Sequence, residues 1–459
     1  MRLSERWRSL KVGDLGRSFY FLWCGESLAV IGTALTEFAL GVWVYSHTGS
    51  AMAFANVVLA ATLPAIVFLP VAGGLADRVS HRLIIVCCDI LLAILLFGVI
   101  TLLWFDRLEP LHLYVFNCLA SIVTAFRSPA YLAAVNSIVA PQKFTQASGL
   151  MGLSKNASAL IAPLLAGVIM AKAGLVPILA LDLITFCLGT LLVIKAFAHA
   201  RRVPGSKDGL NSGSVFRGAL DNIRAGLKFF VASHLMTGLL IYSVVRSAIL
   251  SLAIVMITPL LLSTLGSDSL GMAYTWAGLG GLCAAGLLVV MGNLRRLMTI
   301  AAVADLLLSV CIITLGLVSQ AFAYYAVAFC AILVASIADA AVNALWMNRI
   351  PADNRASVFA LISMLTIACT SLVTFVGGWG VDSWFQPGLM PGGQFAESFG
   401  FWLGSGPGRG VGMLFLLAGG LLVVQSLAAL LYGPMRRLEG ASAEPELPRA
   451  VDTPQVEAV

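Results

Sequence analysis

The sequence predicts an all-α integral membrane protein: twelve transmembrane helices in two six-helix bundles related by a pseudo-twofold axis. Three observations carry this. The 459-residue chain is 59% hydrophobic and only 11% charged, with a mean hydropathy of +0.95. A soluble protein of this length has no way to hide so much apolar surface, whereas a bilayer does. The apolar residues gather in runs of about 20 or more, the length a helix needs to cross a membrane. The runs are rich in Leu, Ala and Val and lack period-two alternation, so they are helices and not barrel strands.

In order, the predicted cores are 19–45, 51–75, 83–104, 111–133, 144–170, 176–197, 233–263, 270–291, 297–318, 321–347, 357–381 and 411–432. The first is too long for a signal-peptide core and follows an Arg-rich start, so no cleavable signal is expected. Spans one to six (1–197) form one bundle and spans seven to twelve (233–435) the other. Between them, 198–232 begins as a Gly/Ser-rich linker. It then places Phe216, Ala219, Leu220, Ile223, Leu227 and Phe230 at helical spacing, which predicts a helix on the inner membrane surface. Residues 436–459 are polar, with Pro and Glu, and predict a disordered tail. Tyr45–Ser50 and Leu262–Ser267, at the ends of spans one and seven, are weakly alike, as parallel repeats require. The Gly-rich stretch 382–410, with Phe395, Phe399, Phe401 and Trp402, falls on the outer side, where it either dips into the membrane or caps an exit vestibule.

Charge sets the orientation. With the N-terminus inside, 24 of the 28 Lys and Arg fall on the inner side; Arg107, Lys172 and Arg409 lie outside, and Arg246 lies within a span. This bias predicts both termini in the cytoplasm of a multi-pass protein of a bacterial inner membrane. The net charge of +6 is then an orientation signal, and no soluble basic face offers itself to nucleic acid. The nine Cys (24, 87, 88, 118, 187, 283, 311, 330, 369) all fall in apolar spans without metal-ligand spacing, so neither disulfides nor a metal site is expected. The five His (47, 81, 112, 199, 234) scatter near span ends, no nucleotide-binding loop occurs, and no nucleophile–base set stands out. An enzyme is not expected, nor a cofactor.

The loop between spans two and three reads Gly73-Gly-Leu-Ala-Asp77-Arg78-Val-Ser-His-Arg82. It resembles the signature of the major facilitator superfamily, with Ser80 and His81 departing from the usual Gly and basic residue. The resemblance implies that Gly73, Asp77, Arg78 and Arg82 form an inner gate latch. Thr36–Tyr45 (TEFALGVWVY), Ala125–Ala130 (AFRSPA) and Asn343–Ile350 (NALWMNRI) narrow the likeness to the drug:proton antiporter branch with macrolide and siderophore exporters. Phe385–Phe415 resembles a subgroup encoded beside nonribosomal peptide synthesis genes. The branch implies proton-coupled export of amphipathic organic compounds, and most such relatives act as monomers. Its span-five signature is altered here to Ala162-Pro163-Leu-Leu-Ala166-Gly167, still small enough for close helix approach. Ala277, Gly281 and Ala285 repeat every four residues in span eight, so spans five and eight are expected to slide between the halves. The second-half copy of the gate loop is eroded to Gly292–Arg296, and Ser357 stands where relatives carry Arg.

A charge at mid-span costs roughly 2.5–3.5 kcal/mol on insertion scales, so each one asks for a reason. The candidates are Glu26, Glu37, Asp89, Arg127, Asp182, Arg246, Asp305 and Asp339. Asp89 rises only ~9 Å into span three at 1.5 Å per residue, within reach of Arg78 or Arg82, and is assigned to the gate. Asp182 is assigned a structural role. Glu26 and Arg246 lie at comparable depths on spans one and seven, which the resemblance makes cavity-lining. They are expected to meet across the central cavity, with Glu26 the proton carrier; the alternative is that each finds a different partner. Arg127 is a candidate for coupling or, alternatively, snorkels to the inner headgroups. Glu37, nearer the outer end, is a candidate for recruiting protons or cationic substrates. Phe38, Phe126, Tyr131, Tyr242 and Trp346 are expected to line a broad apolar cavity, with Asp339 and Asn343, one turn apart, as polar contacts. The reading is an exporter working by proton antiport, with the lipid bilayer, protons and an amphipathic small molecule as partners. An importer or facilitator of a small solute, and a non-transporting scaffold or sensor, are the rivals.

Overall fold

The computed structural model describes residues 15–76, 79–139, 143–199, 227–231, 233–291, 296–350 and 355–433. Twelve long helices carry the chain: α1 (Arg17–Thr48), α2 (Ala51–Ala76), α3 (His81–Trp104), α4 (Pro110–Ile138), α5 (Phe144–Ala173), α6 (Val176–His199), α7 (His234–Thr264), α8 (Ser267–Met291), α9 (Leu297–Leu317), α10 (Ala321–Arg349), α11 (Arg355–Gly380) and α12 (Arg409–Leu431). Eleven contain stretches long and apolar enough to cross a membrane; in α5 the apolar part is the shorter Ile161–Met170. No strand occurs among the described residues. Asp77, Arg78, nearly all of the expected surface helix and the tail after 433 lie outside them.

Local chemistry marks the helix ends. Ser80 accepts from Leu83 N–H at the start of α3 and Ser233 from Met236 N–H at the start of α7, each satisfying an otherwise orphaned donor. Glu109 and His112 form a reciprocal capping box at the start of α4, with Pro110 at its first position. Gly49, at φ +63°, stops α1 in a left-handed turn that leads directly into α2.

The packing repeats between halves. In the first, α1 packs on α5 and α6, α2 on α4, and α3 on α4 and α6; in the second, α7 packs on α11 and α12, α8 on α10, and α9 on α10 and α12. Adding six to each helix number converts one set into the other, which is what a pseudo-twofold relation requires. The halves meet mainly through α5 against α8 and α2 against α11, two contacts the same operation exchanges. Close approach needs small residues: a Cβ on Gly25 of α1 would stand 2.9 Å from the Gly189 carbonyl oxygen of α6.

One end of the molecule is closed. There Val42, Ala51 and Ala55 of the first half share a buried cluster with Ile249, Leu252, Met256 and Leu260 of the second. The clusters nearer the other end are each confined to a single half. The stretch after α11 caps the closed end. A π-turn (Val381–Phe385) and two short helices (Gln386–Leu389 and Ala396–Leu403) are tied down by Gln386 to Gly406 O at 3.0 Å and by Arg409 to Ser319 Oγ at 2.7 Å. Phe401 and Trp402 of this cap are exposed.

Gly25→Ala is expected to lower stability by about 1–3 kcal/mol through overpacking at the α1–α6 crossing. Gly98→Ala, where nothing lies within 4 Å of the added carbon, is expected to be neutral or slightly stabilising. Thermal unfolding of the purified proteins in one detergent checks both.

Candidate functional site: two arginine–carboxylate clusters, a cavity and a latch

Each half buries one guanidinium between two carboxylates. In the first, Arg127 of α4 donates through Nε to Asp89 of α3 (2.6 Å) and through a terminal nitrogen to Glu26 of α1 (2.7 Å). Thr190 of α6 donates to the other oxygen of Asp89 at 3.2 Å. In the second, Arg246 of α7 donates through Nε to Asp305 of α9 (2.6 Å) and through a terminal nitrogen to Asp339 of α10 (2.6 Å). Its remaining nitrogen reaches Ala335 O at 3.1 Å, and the Tyr242 hydroxyl donates to Asp305.

The clusters are symmetry mates with the charge order permuted. Asp89 and Asp305 are each the ninth residue of their helix, α3 and α9. Arg127 is the eighteenth residue of α4, and Asp339 the nineteenth of α10. The acid of α1 faces the role played by the base of α7, and the base of α4 the role played by the acid of α10. Both clusters hold one more formal negative charge than positive. In both, one acid is sealed and the other has free surface: Asp89 is 2% and Glu26 18% exposed, Asp305 0% and Asp339 53%.

The expected Glu26–Arg246 pair therefore does not form. Equivalent positions in two bundles belong to different cores, and each side chain takes the nearer partner inside its own half. Asp89 is held by Arg127; of its two expected partners in the gate loop, Arg82 is exposed and Arg78 lies outside the described residues. Arg127 is buried and does not snorkel.

The aromatic residues also redistribute. Tyr131, Tyr242 and Trp346 are core residues and line neither the apolar cavity between α7, α8, α9 and α10 nor the chamber beside Asp182. Tyr242 is held by Asp305, and Trp346 Nε1 donates to Ser243 Oγ at 3.1 Å. Phe126 sits half-buried beside Phe68. Phe38 crosses to the other half, its ring edge-on to Tyr274 of α8 at 5.3 Å. Tyr274 borders a cavity of about 590 Å³ between α7, α8, α9 and α10, which Ile254, Ile257, Gly281, Ile312 and Ala331 also line. Tyr274 and Ser336 are its only lining residues with polar side chains, and both are already hydrogen-bonded, to Thr258 and to Ile332 O. The space thus presents apolar surface to an occupant. Ala277, Gly281 and Ala285, expected to run along span five, line this cavity. Span eight meets span five where, among other contacts, Gly271 approaches Gly167 and the Leu164 carbonyl at 3.8 Å. Ala162, Ala166 and Gly167 are buried, and Pro163 is carried within α5. Asp339 and Asn343 both keep free surface.

At the closed end a second acid joins the halves. Asp382, just past α11, accepts from Ser50 Oγ (2.5 Å) and from the N–H groups of Ala51 and Met52 (3.0 Å each). These are the first N–H groups of α2, so one half supplies the anion that caps a helix of the other. Beside this cap Tyr45 and Ser263, from the two look-alike span ends, line one pocket. The sequence reading passed over Asp382 because it stands at the edge of a loop; Ser50 before a helix start was the available signal.

Residues 22–374 match the family description Major Facilitator Superfamily. The chain belongs to this superfamily. It is similar to macrolide efflux protein A of Streptococcus pyogenes, at 27% identity over 176 residues; the match covers 38% of this chain and 43% of that relative. Among solved structures it resembles a bacterial homologue of the human lysosomal transporter Spinster in an inward-facing, unoccupied conformation (TM-score 0.66, 15% identity, 92% of this chain and 97% of the other). It also resembles the nucleoside transporter NupG (TM-score 0.61, 14% identity, 90% and 98%) and an auto-inhibited peptide transporter of the POT family (TM-score 0.64, 12% identity, 91% and 96%). A superfamily member is a transporter, not an enzyme, and it works in a lipid bilayer on a small-molecule substrate.

Removing one partner of a sealed ion pair leaves a buried charge short of its counter-charge. Asp305→Asn is expected to cost about 3–5 kcal/mol of stability, and Asp339→Asn, at the exposed end of the same cluster, ~1 kcal/mol or less. Thermal unfolding with equal-signal purified protein separates the two. Asp382→Ala is expected to shift the population toward conformers open at the end capped by residues 381–408. Paired spin labels at positions 46 and 263 would show a longer distance distribution than in the parent.

Proposed function

We propose that this superfamily member exports amphipathic organic compounds by proton antiport, through alternating access of its two halves, in a bacterial plasma membrane with both termini in the cytoplasm. The observation that carries the reading is the pair of permuted clusters, each with a surplus carboxylate at its accessible edge. A proton arriving at Glu26 or Asp339 releases that acid from its arginine, while the sealed acid keeps the guanidinium paired. The helix bearing the released acid is then free to move relative to its bundle at small cost. A proton moving inward supplies ~2.3 kcal/mol per 100 mV of potential, comparable to the cost of such a rearrangement.

Three further features support the reading. The charge bias makes the closed end the outer one, so the molecule is open toward the cytoplasm, the side from which an exporter loads. The cavity of about 590 Å³ is drug-sized and apolar, which suits a greasy ligand better than a sugar or nucleoside. The relative at 27% identity is a macrolide efflux protein.

Purified protein in sealed vesicles, with a dye panel and an imposed pH gradient, tests the whole reading. Uphill movement of lipophilic dye, reversed when the gradient is reversed, is expected. Glu26→Gln is expected to lower substrate-driven proton release by about 10-fold or more while leaving dye binding in place. Gradient-independent movement of a polar solute would instead make the protein a facilitator. No movement of any compound under either gradient would make it a scaffold.

A further inference from the structure

Six carboxylates lie well inside the twelve long helices, away from their ends, and the two arginines account for four of them. The remaining two, Glu37 of α1 and Asp182 of α6, line one small chamber of the first bundle, Asp182 buried and Glu37 exposed. The chamber has a volume of about 110 Å³. It lies toward the closed end: Asp182 is only the seventh residue of α6, and Glu37 is eleven residues along α1 from Glu26, roughly 16 Å at 1.5 Å per residue. It is therefore a different layer from the Arg127 cluster.

The chamber is built. Asp182 and Thr185 fit against α1 only because position 32 is glycine; a Cβ there would collide with both side chains. Asp182 is buried, and its carboxylate meets the Thr185 hydroxyl only at 3.4 Å. Thr36, 2% exposed, borders the chamber beside Asp182, yet its hydroxyl makes no aligned hydrogen bond. Asn117, 3% exposed, gives its amide N–H to Leu113 O, which leaves its carbonyl oxygen for the chamber. Thr33 and Thr124 add two more hydroxyls to the wall. The lining contains no Lys, Arg, His or Cys.

We infer that this chamber binds a sodium ion, held by the carboxylates of Glu37 and Asp182 together with neutral oxygens of Thr36 and Asn117. The donors are all oxygen, which selects a hard cation over zinc, copper or iron. The desolvation cost of an ion grows with the square of its charge, so a monovalent ion gives up its water for these donors far more readily than Mg²⁺ or Ca²⁺. With both acids ionised, one sodium ion lowers the uncompensated charge of the chamber from two to one, the same surplus each arginine cluster carries. The volume leaves room for the ion and part of its hydration shell. The inference goes beyond proton antiport and does not rest on it, since binding is read in the absence of any gradient.

Radioactive ²²Na⁺ binding to the purified full-length protein, at fixed pH and with choline keeping ionic strength constant, tests it. A single saturable site is expected, weakened about 10-fold or more by Glu37→Gln, Asp182→Asn or Thr36→Ala and unchanged by Asp339→Asn. Sodium should also raise the unfolding temperature of the parent and not of Glu37→Gln. Glu37→Gln and Thr36→Ala keep the test open if Asp182→Asn does not fold. Absence of saturable binding, binding equal in all variants, or competition by Mg²⁺ or Ca²⁺ at concentrations below that of sodium would overturn the inference. So would a chamber that only titrates, with variant-sensitive stability that follows pH and ignores sodium.

Discussion

A guanidinium shared between two carboxylates in the middle of each bundle is the constraint on which this transporter is organised. Neither charge type is tolerable alone in a low-dielectric interior. Once Arg127 and Arg246 are buried, the helices carrying Asp89, Glu26, Asp305 and Asp339 are held in register around them. The cluster thus fixes the rotation of α1, α3 and α4 in one half and of α7, α9 and α10 in the other. Apolar packing in lipid cannot do this so sharply, because every face of these helices is greasy and one rotation buries about as much as the next. The hydrogen bonds from Thr190 to Asp89 and from Tyr242 to Asp305 extend the same orientation to the sealed acids.

The permutation of charge between halves has a consequence for motion. Two identical halves would respond alike to one added proton. Here the base sits on the fourth helix of the first half and on the first helix of the second, so release of an acid frees α1 on one side and α10 on the other. The interfaces the halves share, α5 with α8 and α2 with α11, are symmetry-related and lack charged clusters among the described residues. They are suited to sliding, and the chemistry is left to the bundle interiors.

The spans were legible because a bilayer imposes one length and one composition on every crossing, and both can be read directly from residues such as those in α3 or α9. The partners of the buried charges were not legible. A strongly apolar helix has almost no amphipathic stripe, so the sequence gives depth but not facing direction. Depth alone suggested Glu26 with Arg246. The stronger clue was internal: Asp89 and Asp305 occupy the same register in repeat-related helices, and so nearly do Arg127 and Asp339. Comparing the two halves residue by residue places an acid, a base and an acid at matching levels in each, and that pattern favours pairing within the halves. Tyr242 and Trp346 were misassigned for a related reason. An aromatic residue on a cavity helix is as able to face the core as the cavity, and the hydroxyl and indole N–H found buried partners in Asp305 and Ser243.

Asp382 shows how the closed state is stabilised without a hydrophobic seal across the whole end. A helix N-terminus exposes unpaired N–H groups that favour an anion, and α2 starts at the interface between the halves. Placing the acid on the opposite half makes the cap conditional: it exists only while the halves touch. The same N–H groups turn to water when that end opens, so the free energy difference between the states stays small, as a cycling transporter requires. Ser50 fits this role because its hydroxyl both donates to Asp382 and accepts from Ala53 N–H, and it can continue to cap α2 after the carboxylate has left. The latch and the arginine clusters are therefore complementary: the clusters keep each half rigid, and the latch gives the two rigid bodies a contact that is easily broken.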